Sequence, residues 1–285
     1  MMALPNEIAT TLPRKVLLTG AVWLIGIGFA LPLIWMLVSS FRTGTEIFSS
    51  LYPLSPGILI PQRITLENYQ SLLDSPFALS VVNSLIVTAI TIIVGLMISA
   101  SAAFALSALD FPGSRAVFGI VVLSFLIPFD AIAVPLANQF RDWGLANTYT
   151  ALILPGLANG FAIFVLRQFF LAIPRELAEA ATLDGLSPWG VFWRIYLPLS
   201  RTALIGAGFT LFLFQWGAYL WPLLIATDPS MVLGPVALAN LNGQFEVNFG
   251  RIFAASVLLT IVPLVLLLFF QKYFTASLAT SGSKG

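Results

Sequence analysis

Arg175-Glu176-Leu177-Ala178-Glu179-Ala180-Ala181-Thr182-Leu183-Asp184-Gly185-Leu186-Ser187-Pro188-Trp189-Gly190-Val191-Phe192-Trp193-Arg194-Ile195-Tyr196-Leu197-Pro198 is the most polar stretch between two long apolar runs of a 285-residue chain. Pro174 suits a first helical turn, where its missing N–H would have no partner, and Glu176 and Glu179 set negative charge near the positive end of the helix dipole. Gly185 ends that helix. Ser187 before Pro188 is an N-cap with proline at the first helical position, so a second helix is expected to start at once and to stop near Ile195, short of Pro198. The spacing therefore predicts a helix, a sharp turn and a helix. On the first helix Leu177, Ala180, Ala181 and Asp184 recur at helical spacing, and the small alanines would let another backbone come close.

Within this stretch Glu179-Ala180-Ala181, three residues, Gly185, nine residues, Ile195, one residue and Leu197-Pro198 form a pattern of fixed spacing. It resembles, at every fixed position, the EAA motif of permease subunits of ABC importers. The resemblance implies that residues 174–198 are a cytoplasmic coupling segment docked in a cleft of an ATPase subunit, with a polar contact from Glu179 and the turn from Gly185. Ala180, Ala181, Asp184, Ile195, Leu197 and Pro198 belong to the same implied site. The residues alone also allow an amphipathic hairpin lying on lipid, although the lysine-rich polar face usual for such helices is lacking.

Composition points to a membrane. The chain is 59% hydrophobic and 9% charged, with a mean hydropathy of +0.97, far from the balance of soluble domains. Cysteine and histidine are both absent, which excludes a disulfide framework, a thiolate nucleophile, an imidazole base and a Cys/His metal site. No metal site and no cofactor are expected on this chain. A net charge of +1 argues against nucleic acid, which calls for clustered Lys and Arg.

Six apolar runs are expected to span: about 16–41, 82–108, 116–139, 149–170, 203–225 and 253–270, all within one permease domain of residues 1–285. The first, Val16 to Phe41, is uncharged over 26 residues, too long for a signal-peptide core. Span two is dense in Ser, Thr, Gly and Ala from Thr88 to Ala105, which suits a packed bundle interior. The expected fold is an all-α integral membrane protein of six transmembrane helices, with the cytoplasmic helix-turn-helix between spans four and five.

Other stretches carry the same resemblance. Leu66-Glu67-Asn68-Tyr69 and Asn83-Ser84-Leu85 look like the start of the conserved core of carbohydrate-type permeases, although an ordinary loop with a turn-forming Asn explains Asn68 equally well. Gly144-Leu145-Ala146-Asn147-Thr148 resembles the loop before that family's next span, and Ser283-Lys284-Gly285 its small basic ending. Asp110 departs from the basic residues usual in its turn. The family is identified as the carbohydrate-type permeases, similar to those for maltose, multiple sugars and glycerol-3-phosphate.

Span three is interrupted by Pro128-Phe129-Asp130. An acid at mid-membrane depth is costly, so Asp130 either faces a cavity as a pathway or gating residue or is tied to free backbone N–H groups. Gln215 is either a helix-to-helix hydrogen bond or a solute contact. Trp216 and Tyr219 would suit sugar faces as pathway-lining groups, yet aromatic residues at span ends also anchor the interface. The loop residues Asn240, Asn242, Gly243 and Gln244 are either candidate contacts for a solute-binding protein or a solvated turn. Prolines 128, 155 and 263 are candidate bend points.

Six spans put both termini on one side. That side would hold Arg14, Lys15, Arg115, Arg167, Arg175, Arg194, Arg201, Lys272 and Lys284, leaving Arg42, Arg63, Arg141 and Arg251 of the 13 basic residues on the other. Lys/Arg bias makes the first side cytoplasmic, independently of the motif.

No GxxxxGK[ST] loop occurs, so ATP and magnesium must act on another subunit. The resemblance implies a bacterial inner-membrane, multi-pass protein that works with a second permease subunit, a distinct one favoured, two ATPase subunits and an extracytoplasmic solute-binding protein, and that moves a sugar or sugar-like solute by alternating access within membrane lipid. Glycerol-3-phosphate or a polyol is the alternative solute. An ion-coupled secondary transporter would need paired intramembrane charges that a single Asp130 does not supply. A membrane enzyme would have only isolated carboxylates such as Asp110 and Asp130 to work with.

Overall fold

The computed structural model describes residues 12–49, 56–61, 63–242 and 247–281. Among the described residues the elements are helical, and the one extended pairing is an isolated bridge between Asn242 and Val247. The chain forms two compact units, Met1–Leu72 with Leu241–Leu258, and Leu73–Asn240 with Leu259–Gly285.

The first unit contains α1 (Leu12–Ser39), α2 (Gly44–Ser49), nearly all of α3 (Glu67–Leu73) and the start of the last helix. Pro32 lies inside α1 without ending it. None of the side chains in the most apolar window of α1 is buried, so this helix presents hydrocarbon all round, the pattern of a helix solvated by lipid or by another membrane helix.

Beyond α1 the chain leaves helical geometry at Ser40–Arg42, and Asn68 resolves what that costs. Its Nδ2 donates to the carbonyls of Ser40 at 2.9 Å and Arg42 at 2.8 Å, and the side chain is buried. Ser40 Oγ donates to Leu37 O, so the Tyr69 hydroxyl, 2.7 Å away, donates to Ser40. The Arg42 guanidinium is fully buried, donates to Gly57 O and lies 3.8 Å from Glu46. A Cβ on Gly250 would come within 2.7 Å of both Arg42 O and Asn68 Nδ2, which is why glycine stands there. Asn68 is thus a backbone clamp. Asn68→Ala removes both bonds inside a buried corner and is expected to cost about 2 kcal/mol. A detergent thermal-unfolding curve unchanged from wild type would refute this assignment.

The second unit is built on α4 (Pro76–Ala108), which Ser75 caps by accepting from Phe77 N while Pro76 takes the first position. The helix begins six residues before Val82 because capping, not hydropathy, sets its start. α5 (Ser114–Leu126) and α6 (Phe129–Asp142) follow and meet at 93°. The run expected as span three is therefore two helices turned at Ile127-Pro128, since proline restricts the residue before it and cannot donate.

α7 (Tyr149–Leu157) and α8 (Gly160–Leu171) together make an apolar helix pair, broken at Ala158-Asn159. Thr148 and Asn159 cap them by accepting from Ala151 N and Ala162 N. Then come α9 (Arg175–Leu183), α10 (Pro188–Val191), a π-helix over Phe192–Tyr196, α11 (Leu197–Leu199) and α12 (Arg201–Trp216). α12 stops at Trp216, and a separate short helix, α13 (Leu220–Ile225), follows Gly217. The 203–225 run is thus not one continuous helix. α14 (Gly234–Asn240) lies in what hydropathy reads as loop, and α15 (Phe249–Ser281) is longer at both ends than 253–270. Pro263 lies inside α15 without ending it.

In this unit α4 packs against α7, α8, α12 and α14. Its small residues are the cause. Ala100 and Ala103 are fully buried, and a Cβ on Gly95 would stand 3.2 Å from Leu157 O and 3.3 Å from Gly156 O. The density of Ser, Gly and Ala in span two is this close helix approach.

Candidate functional site

The 175–199 segment is a rigid hairpin. At the end of α9, Leu186 N donates to Ala181 O and Gly185 N to Thr182 O, each at 3.0 Å, with Gly185 at φ +86°. These two bonds with a left-handed residue are a Schellman motif. An added Cβ at Gly185 would touch nothing within 4 Å, so conformation alone demands glycine there. Ser187 Oγ then accepts from Gly190 N and Pro188 opens α10.

The second arm does not stop at Ile195. Leu197 N donates to Phe192 O in a π-turn, and the helix runs past Pro198 to Leu199. Widening to an i→i+5 register relieves the clash that Pro198 would make with the carbonyl four residues back in a regular helix. At Ser200 the chain turns by 82° into α12.

One face of the hairpin is inward. Phe192 and Tyr196 are buried, with ring centroids 5.2 and 4.9 Å from Phe104 on α4, and Tyr196 is 5.4 Å from Phe170 on α8. Ala181 is also buried in this cluster, while Ile195 and Leu197 are half-buried against it. Ala180 and Ala181, which helical spacing groups on one side of α9, part here. Ala181 faces the chain's own core, whereas Glu179, Ala180, Asp184, Gly185 and Pro198 are exposed.

The outer face holds residues that the sequence reading passed over. Leu183 is 89% exposed, Trp189 56% and Trp193 54%. Large exposed apolar groups on a polar hairpin mark a contact with protein or membrane. With Ala178 and Ala181 turned inward, Leu183 falls on the opposite side of the α9 wheel, but the sequence alone does not say which alanines turn inward.

Near the hairpin Arg167 Nε donates to Leu106 O at 3.1 Å, and its guanidinium carbon sits 3.9 Å over the Phe118 ring. These contacts tie the end of α8 to the ends of α4 and α5.

The pathway candidates have separate settings. Asp130 is exposed in the first turn of α6, immediately after the 93° break, where the helix dipole favours a carboxylate. Gln215 lies against the α7 backbone: a Cβ on Gly156 would come 2.9 Å from Gln215 Oε1 and 2.7 Å from Thr91 Cγ2. Trp216 is buried and donates Nε1–H to Leu259 O at 3.0 Å, so it packs helices and offers no open aromatic face. Tyr219 is exposed in the link between α12 and α13. Of the loop candidates, Asn240 ends α14 and is exposed, Asn242 is exposed in the bridge to Val247, and Gly243 and Gln244 lie outside the described residues.

A buried clamp that sequence reasoning missed holds the 226–234 loop. Asn83 is fully buried, donates to Ser230 O at 2.8 Å and Val232 O at 3.2 Å, and accepts from the Tyr149 hydroxyl at 2.6 Å. Gly234 N donates to Ser84 Oγ at 2.8 Å. Asn147, left-handed at φ 58°, accepts from Asp228 N. The Ser230 hydroxyl and N–H donate to the Asp228 carboxylate and hold its pKa below the usual value.

The chain is similar to known proteins. Residues 95–280 match the family described as binding-protein-dependent transport system inner membrane component. The chain is 34% identical to the arabinooligosaccharides transport system permease protein AraQ of Halalkalibacterium halodurans, over 92% of this chain and 96% of the relative. It is 33% identical to the trehalose transport system permease protein SugB of Mycobacterium tuberculosis, over 91% and 94%. With the sn-glycerol-3-phosphate transport system permease protein UgpE of Yersinia pestis it shares 32% identity over 88% and 90%. The fold is also that of a chain in a crystal structure of a bacterial ABC transporter involved in import of the acidic polysaccharide alginate, with a TM-score of 0.81, 22% identity, and coverage of 95% of this chain and 100% of that one. A chain of a bacterial alginate ABC transporter in complex with an alginate pentasaccharide-bound periplasmic protein aligns with a TM-score of 0.63 at 18% identity, covering 93% and 96%. Apolar helices around a tightly packed α4, a Schellman hairpin carrying the EAA pattern and agreement over nearly the whole length of these relatives lead to one conclusion: this multi-pass membrane chain belongs to the inner membrane components of binding-protein-dependent transport systems and is an ABC importer permease.

Proposed function

We propose that the chain acts over residues 1–285 as one permease domain that moves a sugar or sugar-like solute inward by alternating access. The names of relatives for arabinooligosaccharides and trehalose support that solute class, and UgpE keeps glycerol-3-phosphate as the alternative. A second, distinct permease subunit completes the path. An extracytoplasmic binding protein delivers the solute, a reading supported by the alginate transporter solved with its periplasmic protein.

ATP and magnesium belong to two ATPase subunits, because the chain has no phosphate-binding loop. These subunits dock on the 174–198 hairpin. Both termini and the hairpin are cytoplasmic, as the Lys/Arg bias requires.

The observation that carries this reading is the hairpin itself. Leu183, Trp189 and Trp193 are exposed at its outer side, and Phe192 and Tyr196 lock its inner side to α4 and α8. A push on the outer face is therefore transmitted to the packed helices, which move as units while the breaks at Pro128 and Ala158 absorb the bend. Glu179 is exposed beside this face and supplies a negative contact. Glu179→Lys is expected to reduce co-purification of the ATPase subunit by about ten-fold, equivalent to ~1.4 kcal/mol, with the chain still in the membrane. Normal ATPase recovery and normal uptake by that variant would remove the hairpin from the coupling role.

A further inference from the structure

A Ser or Thr hydroxyl inside a helix can donate to the carbonyl one turn back. On α4 Ser80 does so to Pro76 O and Ser107 to Ala103 O. Thr91 and Ser99 do not. Both are buried, and neither hydroxyl has a hydrogen-bond partner. They stand one turn before and one turn after Gly95, on the face of α4 that receives the end of α7.

Acceptors lie against that face. The carbonyls of Gly156 and Leu157 are the two that come closest to Gly95. Because α7 ends at Leu157, they are among the last carbonyls of a helix, which have no intrahelical donor. Inside a membrane such freed groups are met by neighbouring helices and by Ser or Thr side chains. Gln215 brings a further donor. It is half-buried, and its amide makes no hydrogen bond among the described residues. Its Oε1 lies 2.9 Å from where a Gly156 Cβ would stand, with Thr91 Cγ2 at 2.7 Å and Thr91 Oγ1 at 3.9 Å from the same point. The methyl group of Thr91, not its hydroxyl, is turned to the end of α7. Donors and acceptors are thus gathered near the middle of two apolar spans and left unpaired.

We propose that Thr91 and Gln215 are positioning residues of the transport cycle, whose donors take the carbonyls of Gly156 and Leu157 in a second conformation of the chain. The proposal rests on the alternating-access reading above. Gly95 permits the change, because the α7 backbone meets no side chain there. A slide of one turn, about 6 Å along α4, carries the carbonyls from Gly95 to Thr91. Unpaired, these groups raise the energy of the present conformation; paired, they hold the alternative one.

The test uses the intact transporter purified with its associated subunits, the others made free of cysteine. Ala158→Cys places the only thiol of this chain at the exposed break between α7 and α8, where a spin label reports the conformation. ATP with EDTA, which binds without turnover, is the probe. Thr91→Val is close in shape but lacks the hydroxyl. In that background the ATP concentration at half-change should move by about five-fold, the factor that one buried hydrogen bond is worth. It rises where the present conformation is the nucleotide-free one and falls where it is the ATP-bound one. Gln215→Leu should move it in the same direction, and Thr91→Ser, which restores the hydroxyl, should return it to the starting value. An unmoved half-change concentration in both Thr91→Val and Gln215→Leu overturns the proposal. So does a lower thermal-unfolding midpoint for Thr91→Val without that movement, which marks the hydroxyl as structural. Movement with Ser99→Ala and none with Thr91→Val would show a slide in the other direction and would also overturn it. A label that ignores ATP in the otherwise unchanged chain removes alternating access, and this proposal with it. A label that responds to ATP equally in wild type and Thr91→Val sinks this proposal alone.

Discussion

Gly185→Val is expected to stop solute uptake while the chain still reaches the membrane. Gly185 sits at φ +86° with open space where a Cβ would go. The substitution therefore meets no clash with neighbouring atoms and acts only on the backbone, where a β-branched residue in the left-handed region costs about 1–2 kcal/mol or more. That is too little to unfold a packed membrane bundle but enough to break the Schellman turn that fixes where Leu183 and Trp189 point. Uptake should fall at least about ten-fold, because a docking contact loses its geometry. A graded series isolates the cause. Asparagine tolerates the left-handed region, so Gly185→Asn should retain clearly more uptake than Gly185→Val at equal membrane levels. If the two variants behave alike, backbone conformation is not what glycine contributes.

Asn83→Leu is expected to be the most destabilising single change among the buried polar positions. The side chains are close in size, so the loss is one of hydrogen bonding. Tyr149 loses its acceptor, and the carbonyls of Ser230 and Val232 lose their donor. An unsatisfied buried polar group costs about 1–3 kcal/mol. Ser230 is exposed and can be rehydrated, so the total is about 3 kcal/mol, or roughly a 10 °C fall in the midpoint of thermal unfolding. Tyr149→Phe removes only one of the three bonds and should cost about 1 kcal/mol. A midpoint for Asn83→Leu within ~2 °C of wild type would mean that the clamp is ornamental. Its loss also frees the 226–234 loop next to α14, so uptake should fall even at temperatures where the chain stays folded.

Local chemistry was legible in the linear sequence wherever one residue type has one conformational use. Gly185 had to turn, Ser187-Pro188 had to start a helix, and Pro128 had to interrupt one. The structure holds all three, because capping and φ restrictions act over a few residues and need no partner. Hydropathy likewise marked the apolar runs, and the small residues of span two announced close packing. The EAA spacing in residues 179–198 identified the family without tertiary information.

Tertiary structure decided what those local signals left open. Ala180 and Ala181 are adjacent and chemically alike, yet one is exposed and the other buried, because only the positions of Phe104 and Phe170 say which side of α9 is inward. Pro198 ought to end a helix, and it does not, since burial of Phe192 and Tyr196 holds the arm in place and a π-turn accommodates the ring. Asn68 reads equally well as a turn former and Asn83 as part of the entry to a span, and both are buried clamps on carbonyls: Asn83's carbonyl partners lie 147 and 149 residues away, Asn68's 26 and 28. A hydrogen bond has no sequence signature when its partners are distant. Short-range sterics wrote the helices, caps and breaks into the sequence, whereas long-range packing chose which face of each helix meets the core and which meets a partner.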